Sequence, residues 1–220
     1  MNTPVRPKHS GLPTTVWLAS RSPRRLELLQ TLGLNVNVFL AQNSPEAEAL
    51  ETPFENEDPL RYVQRITQLK LNAALEAMRA QQLSGLVLAA DTTVALHSAI
   101  LGKPQDAAQA YEMLQILSNT THEVHTAVAG AWLNTHGNTT TTANTVQTSH
   151  VEFAILPETF IHAYIVSGEP FDKAGAYGIQ GIAGQYVRHI SGSHSGIMGL
   201  PLFETSELIR DIQTAAQGSN

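Results

Sequence analysis

The sequence contains no cysteine, no apolar run as long as a membrane span and no surplus of positive charge. Without cysteine the 220-residue chain can form no disulfide and use no thiolate chemistry, which fits a cytoplasmic location. Because no apolar stretch approaches the roughly 20 residues of a transmembrane helix, we expect no membrane attachment. The formal net charge of −6 argues against a protein that binds nucleic acid polymers over a broad basic surface.

The G-x-x-x-x-G-K-[ST] loop of the P-loop nucleotide hydrolases is also absent. The composition, 42% hydrophobic and 15% charged residues, is that of an ordinary globular protein long enough to bury a core. We expect one domain over residues 16–214. Residues 1–15 hold three prolines but no apolar core typical of a secretion signal, so they predict a loose extension. Residues 215–220 are expected to form a short tail.

Positive charge is concentrated at the start of the first predicted helix. Ser22 occupies the N-cap position and Pro23 the first helical position. Arg24 and Arg25 follow in the first turn. The helix dipole is already positive there, so cationic side chains slightly destabilise the helix. Backbone N–H groups, a serine hydroxyl and clustered guanidinium groups indicate an anion site, most naturally for phosphate. A capped helix with solvated arginines is the alternative that this spacing leaves open.

A carboxylate interrupts the most apolar run of the chain, residues 85–96, which predicts a central strand covered on both faces. An ionised Asp91 inside such a strand is costly unless a cation or hydrogen bonds compensate it. A divalent metal or a nearby lysine would serve, and a structural aspartate that accepts backbone hydrogen bonds is the alternative. Lys103 lies between Gly102 and Pro104, in a turn that the proline restricts and the glycine opens to close approach.

The order of predicted strands and helices implies an α/β fold with a mixed central sheet and flanking helices. Two strands, roughly 123–133 and 145–156, flank a polar, threonine-rich segment over residues 134–144 and predict a long hairpin. A helix is predicted over 60–79. The glycine-rich stretch 168–184 is long enough to suggest a binding loop.

Five short motifs resemble, in order, those of the Maf family of nucleoside triphosphate pyrophosphatases. They are Ser20-x-Ser-Pro-Arg-Arg25, Ala90-Asp-Thr-Thr-Val94, Gly102-Lys-Pro104, Lys173-Ala-Gly-Ala-Tyr-Gly-Ile-Gln-Gly181 and Gly199-Leu-Pro-Leu-x-Glu204. The resemblance covers residues 16 to about 212. It implies an inosine-triphosphatase-like fold with two lobes around a cleft, often as a homodimer. It also implies hydrolysis of a nucleoside triphosphate to the monophosphate and pyrophosphate, dependent on a divalent metal, Mg²⁺ or Mn²⁺.

The same resemblance implies a role for each matching residue. Asp91 is similar to the family's proton acceptor and is also expected to bind the metal. The positions associated with base specificity are Arg24, Thr92 and Gln180. The positions on the phosphate side are Ser20, Ser22, Arg25, Lys70, Lys103 and Lys173. The form of the loop 173–181 resembles the branch that acts on dTTP and UTP, whereas the branch that acts on 7-methyl-GTP differs there.

One motif departs from the family pattern. An Asp-Glu-Thr sequence usually follows the second strand, but here Leu50 precedes Glu51 and Thr52, after a short insertion over residues 43–49. We therefore expect Glu51 to supply the second metal-binding carboxylate. The spacing leaves three rivals, Glu46, Glu48 and Glu55.

Two other functions stay open at this point. The chain could hydrolyse another modified nucleotide such as 7-methyl-GTP, or it could be a non-catalytic nucleotide-binding regulator of cell division. The presence of Asp91, Lys70 and Lys103 together speaks against the regulator, because a pure binding module needs no buried carboxylate facing a polyanion. No function is inferred for the threonine-rich residues 138–145.

Overall fold

A computed structural model describes residues 15–40 and 52–218 and shows one mixed sheet. Its strands are β1 (Thr15–Leu18), β2 (Asn35–Val38), β3 (Gly85–Leu96), β4 (Ala99–Leu101), β5 (Thr121–Leu133), β6 (Thr139–Phe153) and β7 (Val187–Ser191). The strand order is β2-β1-β3-β5-β6-β7, and β4 pairs with the far half of β3. The pairs β1–β2 and β1–β3 are parallel and the others antiparallel, which confirms the predicted α/β fold.

Six α-helices flank the sheet in this part of the chain. They are α1 (Pro23–Thr31), α2 (Pro59–Ala80), α3 (Ala107–Leu117), α4 (Glu158–Val166), α5 (His194–Met198) and α6 (Leu202–Gln217). Alternate residues of β3 face opposite sides of the sheet. Leu86 and Leu88 pack with α1 and α6, whereas Val87 and Ala89 pack with α2. None of these helices is both long and apolar enough to span a lipid bilayer.

A third apolar cluster forms a second lobe around the far half of β3. Val94 packs there with α3, α4, the ends of β5 and β6, and the glycine-rich loop. His122 and Tyr177 are buried in this cluster, with His122 Nε2 2.7 Å from the Tyr177 hydroxyl. Burial lowers the pKa of His122 to about 4, so the ring is neutral near pH 7. The two lobes meet where Asp91 and Thr92 interrupt the burial of β3.

The helix starts largely agree with the sequence. Ser22 caps α1 by accepting from the Arg25 N–H, with Pro23 at the first position, as predicted. The predicted helix over 60–79 is also confirmed. Asp58, one residue before Pro59, caps α2 by accepting from the Arg61 N–H.

One element was predicted wrongly. Residues 134–144 were expected to form a polar connection, but β6 already begins at Thr139 and pairs with β5 through Thr139–Leu133 and Thr141–Trp132. The turn is confined to the residues around Asn134 and Gly137. Threonine is β-branched and suits a strand with one face exposed, so polarity alone was a poor guide here.

The predicted division into extension, domain and tail stays a prediction. Strand β1 begins at Thr15, and α6 continues to Gln217, three residues beyond the predicted domain end at 214. Most of the predicted extension lies outside the described residues. Glu46, Glu48, Glu51 and the insertion 43–49 lie outside them as well.

The glycine-rich stretch predicted to bind a ligand folds into three short 3₁₀ turns between α4 and β7. Gly175 has φ +66° within it, and its N–H donates to the Gly102 carbonyl at 3.0 Å. A Cβ at this position would lie 2.8 Å from Val94 Cγ1. Position 175 therefore requires glycine for both its dihedral angle and its close contact with β3.

We expect Gly175→Ala to destabilise the protein more than Gly168→Ala. Both residues have positive φ, but a Cβ at Gly168 meets nothing within 4 Å. The left-handed conformation costs alanine about 1–2 kcal/mol at either site. Overpacking against Val94 should add roughly 1–3 kcal/mol at position 175 only. Urea unfolding of the two variants measures the difference, and equal losses would contradict the close packing of the loop on β3.

Candidate active site

A cavity of about 600 Å³ lies between the two lobes and is lined by every predicted site residue that the structure describes. These residues are Ser20, Ser22, Arg24, Arg25, Lys70, Asp91, Thr92, Lys103, Lys173 and Gln180. They come from the start of α1, from α2, from the middle of β3, from the turn after β4 and from the glycine-rich loop. Among the rivals for the second carboxylate, Glu55 is exposed and does not line the cavity.

Asp91 is compensated by a lysine from the helix that crosses β3. Lys70 of α2 places its Nζ 2.7 Å from Asp91 Oδ1. The side chains remain 28% and 16% exposed, respectively, so the pair is open to the cavity. The sequence predicted that a divalent metal or a nearby lysine would compensate the charge of Asp91, and the structure shows the lysine. Lys70 therefore supplies the counter-charge of this carboxylate at the wall of the cavity.

Arg25 links three parts of the chain beneath the cavity. Its Nε donates to the Gly199 carbonyl at 2.8 Å, and its Nη atoms donate to the hydroxyls of Ser20 at 3.2 Å and Thr92 at 3.1 Å. Burial lowers the pKa of this guanidinium, and the Asp91 charge opposes that effect. The guanidinium group of Arg25 therefore forms hydrogen bonds with other groups of the protein.

A chain of hydroxyls continues from Arg25 into the sheet. Thr92 Oγ1, which accepts from Arg25, lies 3.0 Å from Thr126 Oγ1 on the neighbouring strand β5. Thr126 in turn donates to the Gly196 carbonyl of α5 at 2.7 Å. Because Thr126 uses its proton on Gly196, Thr92 is the donor to Thr126. Thr92 is thus fixed by contacts on both sides.

The two serines before α1 are also held in place. Ser22 Oγ accepts from the Arg25 N–H at 3.4 Å, and Ser20 Oγ accepts from the Ser22 N–H at 3.2 Å. The start of α1 is therefore a hydrogen-bonded turn at the cavity wall.

Arg24 reaches across the cavity to the glycine-rich loop. Its Nη1 lies 3.1 Å from Asp172 Oδ2, and Lys173 Nζ donates to the other oxygen of the same carboxylate. Partial burial acts to raise the pKa of Asp172, but the hydrogen bonds and charges of Lys173 and Arg24 outweigh it and lower the pKa. One exposed carboxylate therefore joins two cations from opposite walls of the cavity.

Lys103 and Gln180 lie at the rim, and both are exposed. The described lining residues include six cationic side chains and two carboxylates. The cationic residues are Arg21, Arg24, Arg25, Lys70, Lys103 and Lys173, and the carboxylates belong to Asp91 and Asp172. A protein with a net charge of −6 thus concentrates positive charge at one concave site, which suits a small polyanion.

Sequence reasoning missed two residues of this arrangement. Asp172 directly precedes Lys173 in the glycine-rich loop, and an acidic residue beside a candidate phosphate-binding lysine was an available signal. Thr126 carried no signal, because only the pairing of β3 with β5 brings it opposite Thr92.

A family model described as Maf-like protein matches residues 15–212 of the chain. The chain belongs to the Maf family. The match runs from β1 into α6 and so includes every strand described above. It confirms the resemblance drawn from the five motifs.

Three relatives of this Maf-family chain are each named dTTP/UTP pyrophosphatase. The protein of Albidiferax ferrireducens is 48% identical over 89% of this chain and 95% of its own length. The protein of Ralstonia nicotianae is 49% identical over 88% of this chain and 92% of its own length. The protein of Nitrosomonas europaea is 47% identical over 89% of this chain and 93% of its own length. The similarity therefore extends over nearly the whole length of each relative.

The donor set of the Maf-family cavity fits a hard divalent cation. Within residues 15–40 and 52–218, no three histidine or acidic side chains are grouped so as to hold a metal ion. Mg²⁺, however, commonly binds through one or two carboxylates together with water and substrate phosphates, so a larger protein cage is not required. Asp91 is a carboxylate of this kind at the wall of the cavity, and Lys70 Nζ contacts its Oδ1.

Replacing Arg25 by lysine should destabilise this Maf-family protein far more than the same change at Arg79. Both arginines donate Nε to a main-chain carbonyl and an Nη to a threonine hydroxyl, but Arg79 is exposed at the hairpin. Loss of partly buried, charge-assisted hydrogen bonds should cost roughly 1.5–3 kcal/mol at position 25. At position 79 the cost should stay below about 1 kcal/mol.

The comparison uses the free energy of unfolding in urea. Similar losses for the Arg25 and Arg79 variants would show that the inward contacts of Arg25 do not support the fold.

Proposed function

We propose that this chain hydrolyses nucleoside triphosphates, dTTP and UTP above all, to the monophosphate and pyrophosphate as part of nucleotide-pool housekeeping. The observation that carries the proposal is one cavity whose lining includes six cationic side chains and Asp91, with Lys70 Nζ 2.7 Å from the Asp91 carboxylate. Relatives that are nearly half identical over most of their length are named for this activity. These relatives favour the dTTP/UTP branch over a 7-methyl-GTP pyrophosphatase.

The triphosphate would bind between the two walls of the cavity. Arg24 and Lys173 already share the Asp172 carboxylate, which shows that both can reach one anionic group. Lys103 adds a third cation at the rim, beside Gly102. Ser20, Ser22 and Arg25 would act indirectly, by fixing the start of α1 that carries Arg24. Such preorganised cations favour the charge that develops during phosphoryl transfer.

Asp91 would accept the proton of the attacking water. As the water oxygen bonds to the α phosphorus, the bond from that phosphorus to the oxygen that bridges the α and β phosphates breaks, and pyrophosphate leaves with the bridging oxygen. The water proton passes to the Asp91 carboxylate, which Lys70 holds at the cavity wall. Lys70 therefore orients the base at the wall of the cavity.

Mg²⁺ or Mn²⁺ fits this site as a cofactor. Asp91 would be its ligand from the described residues, and Glu51 is the proposed second carboxylate from the family pattern. The bound cation would neutralise phosphate charge and assist departure of pyrophosphate.

The base would be selected at the rim of the cavity. The amide of Gln180 can pair with the N3–H donor and one carbonyl of uracil or thymine at once. Arg24 and Thr92 are the other proposed selectivity positions, although the contacts of Thr92 with Arg25 and Thr126 suggest that it acts through Arg25. The homodimer and the cytoplasmic location also stay predictions.

Product analysis with a panel of nucleoside triphosphates tests the function. In the presence of Mg²⁺ or Mn²⁺, dTTP and UTP should yield monophosphate and pyrophosphate in equal amounts, and purine triphosphates should react more slowly. Excess chelator should abolish turnover. Orthophosphate with nucleoside diphosphate as the products would contradict the proposed site of cleavage.

Asp91→Asn should lower kcat by about 10²–10⁴-fold, the usual contribution of a general base. The amide preserves the shape of the side chain, so the unfolding midpoint should change little. Asp211→Asn, on an exposed position of α6, is the matched control and should retain full activity. A kcat within a few-fold of the parent for the Asp91 variant would assign that carboxylate a purely structural role.

A further inference from the structure

A buried tyrosine and a partly buried glutamate hold the turn that carries Gln180. Tyr164 of α4 is 2% exposed, and its hydroxyl donates to Glu169 Oε1 at 3.0 Å. Glu169 begins the glycine-rich loop, directly after α4 and Gly168. Neither residue lines the cavity, so neither is expected to touch the substrate.

The pair contacts the backbone on both sides of Gln180. The N–H of Gly178, two residues before it, donates to the Tyr164 hydroxyl at 3.3 Å. The N–H of Ile182, two residues after it, makes a long hydrogen bond of 3.5 Å to Glu169 Oε2. The hydrogen bonds on both sides of Gln180 are therefore accepted by the Tyr164–Glu169 pair.

The turn itself is tight. The Gly181 N–H donates to the Gly178 carbonyl at 3.0 Å, which places Gln180 as the second central residue of a four-residue turn. A Cβ at Gly181 would lie 1.7 Å from Glu169 Oε1, so the carboxylate packs directly against the glycine backbone. No side chain could be accommodated at that position unless Glu169 moved.

We propose that Tyr164 and Glu169 are positioning residues that set the nucleobase selectivity of the site by fixing the turn Gly178–Gly181. This inference rests on the proposed function, because it assumes that Gln180 meets the base. The Gln180 side chain is exposed, so its own contacts do not define where its amide points. An amide rotated by half a turn would suit cytosine instead of uracil, and therefore selectivity depends on a fixed backbone beneath it.

Tyr164→Phe tests the proposal with the smallest change of shape. It leaves the buried Gly178 N–H without its acceptor, and we expect the ratio of kcat/KM for UTP to that for CTP to fall by roughly tenfold. Glu169→Gln keeps the volume and replaces one acceptor oxygen with a donor, so a smaller decrease of the same sign is expected. The second variant keeps the test valid if the first folds poorly.

The ratio of two kcat/KM values separates positioning from folding. Partial unfolding lowers the active fraction equally for both nucleotides and leaves the ratio unchanged. Tyr111→Phe is the matched control, since the Tyr111 hydroxyl also donates to a glutamate, Glu158, but lies away from the cavity. Its ratio should equal that of the parent protein.

Two results would overturn the inference while leaving the pyrophosphatase proposal intact. One is a parent enzyme that cleaves UTP to UMP and pyrophosphate but accepts CTP equally well. The other is an unchanged UTP-to-CTP ratio in both the Tyr164 and Glu169 variants. A parent protein that cleaves neither nucleotide would instead refute the proposed function itself.

Discussion

The central strand β3 passes through both lobes and has to carry an ionised carboxylate at its middle. On one side of Asp91 the strand is covered by α1, α2 and α6, and on the other side it packs against α3 and the glycine-rich loop. A charge at this point requires a counter-ion and access to water. Lys70 supplies the counter-ion at 2.7 Å, and the cavity supplies the access. The cleft between the lobes thus coincides with the one polar interruption of β3.

The remaining parts of the site are organised around this interruption. Thr92 follows Asp91 and carries the hydrogen bonds that connect Arg25 to β5 and α5. Arg25 anchors the start of α1, which presents Arg24 to the opposite wall. These contacts lie within short hydrogen-bonding distance, so a shift of α1 against β3 would break several of them together. Such coupling ties the start of α1, which carries Arg24, to β3.

The membership of the Maf family and the geometry of the cleft support the same chemistry. The cationic side chains that line the cavity beside Asp91 suit the hydrolysis of a phosphoanhydride, and the names of the relatives indicate pyrimidine triphosphates. The glycine-rich loop serves both parts of the proposed function. Lys173 is the proposed phosphate-binding residue, and Gln180 is the proposed base-binding residue, on a turn held from behind by Tyr164 and Glu169.

Local features followed from the sequence because they depend on neighbouring residues. Ser22 and Pro23 specified the start of α1, and the apolar run 85–96 specified β3 with Asp91 in its middle. The threonine-rich segment was misjudged, because its strand is stabilised by pairing with β5 rather than by its own hydrophobicity. The partners of the charged groups could not be derived either. Whether Asp91 meets Lys70, or Arg24 meets Asp172, depends on how distant elements pack, and that packing is decided only when the whole chain closes around its cores.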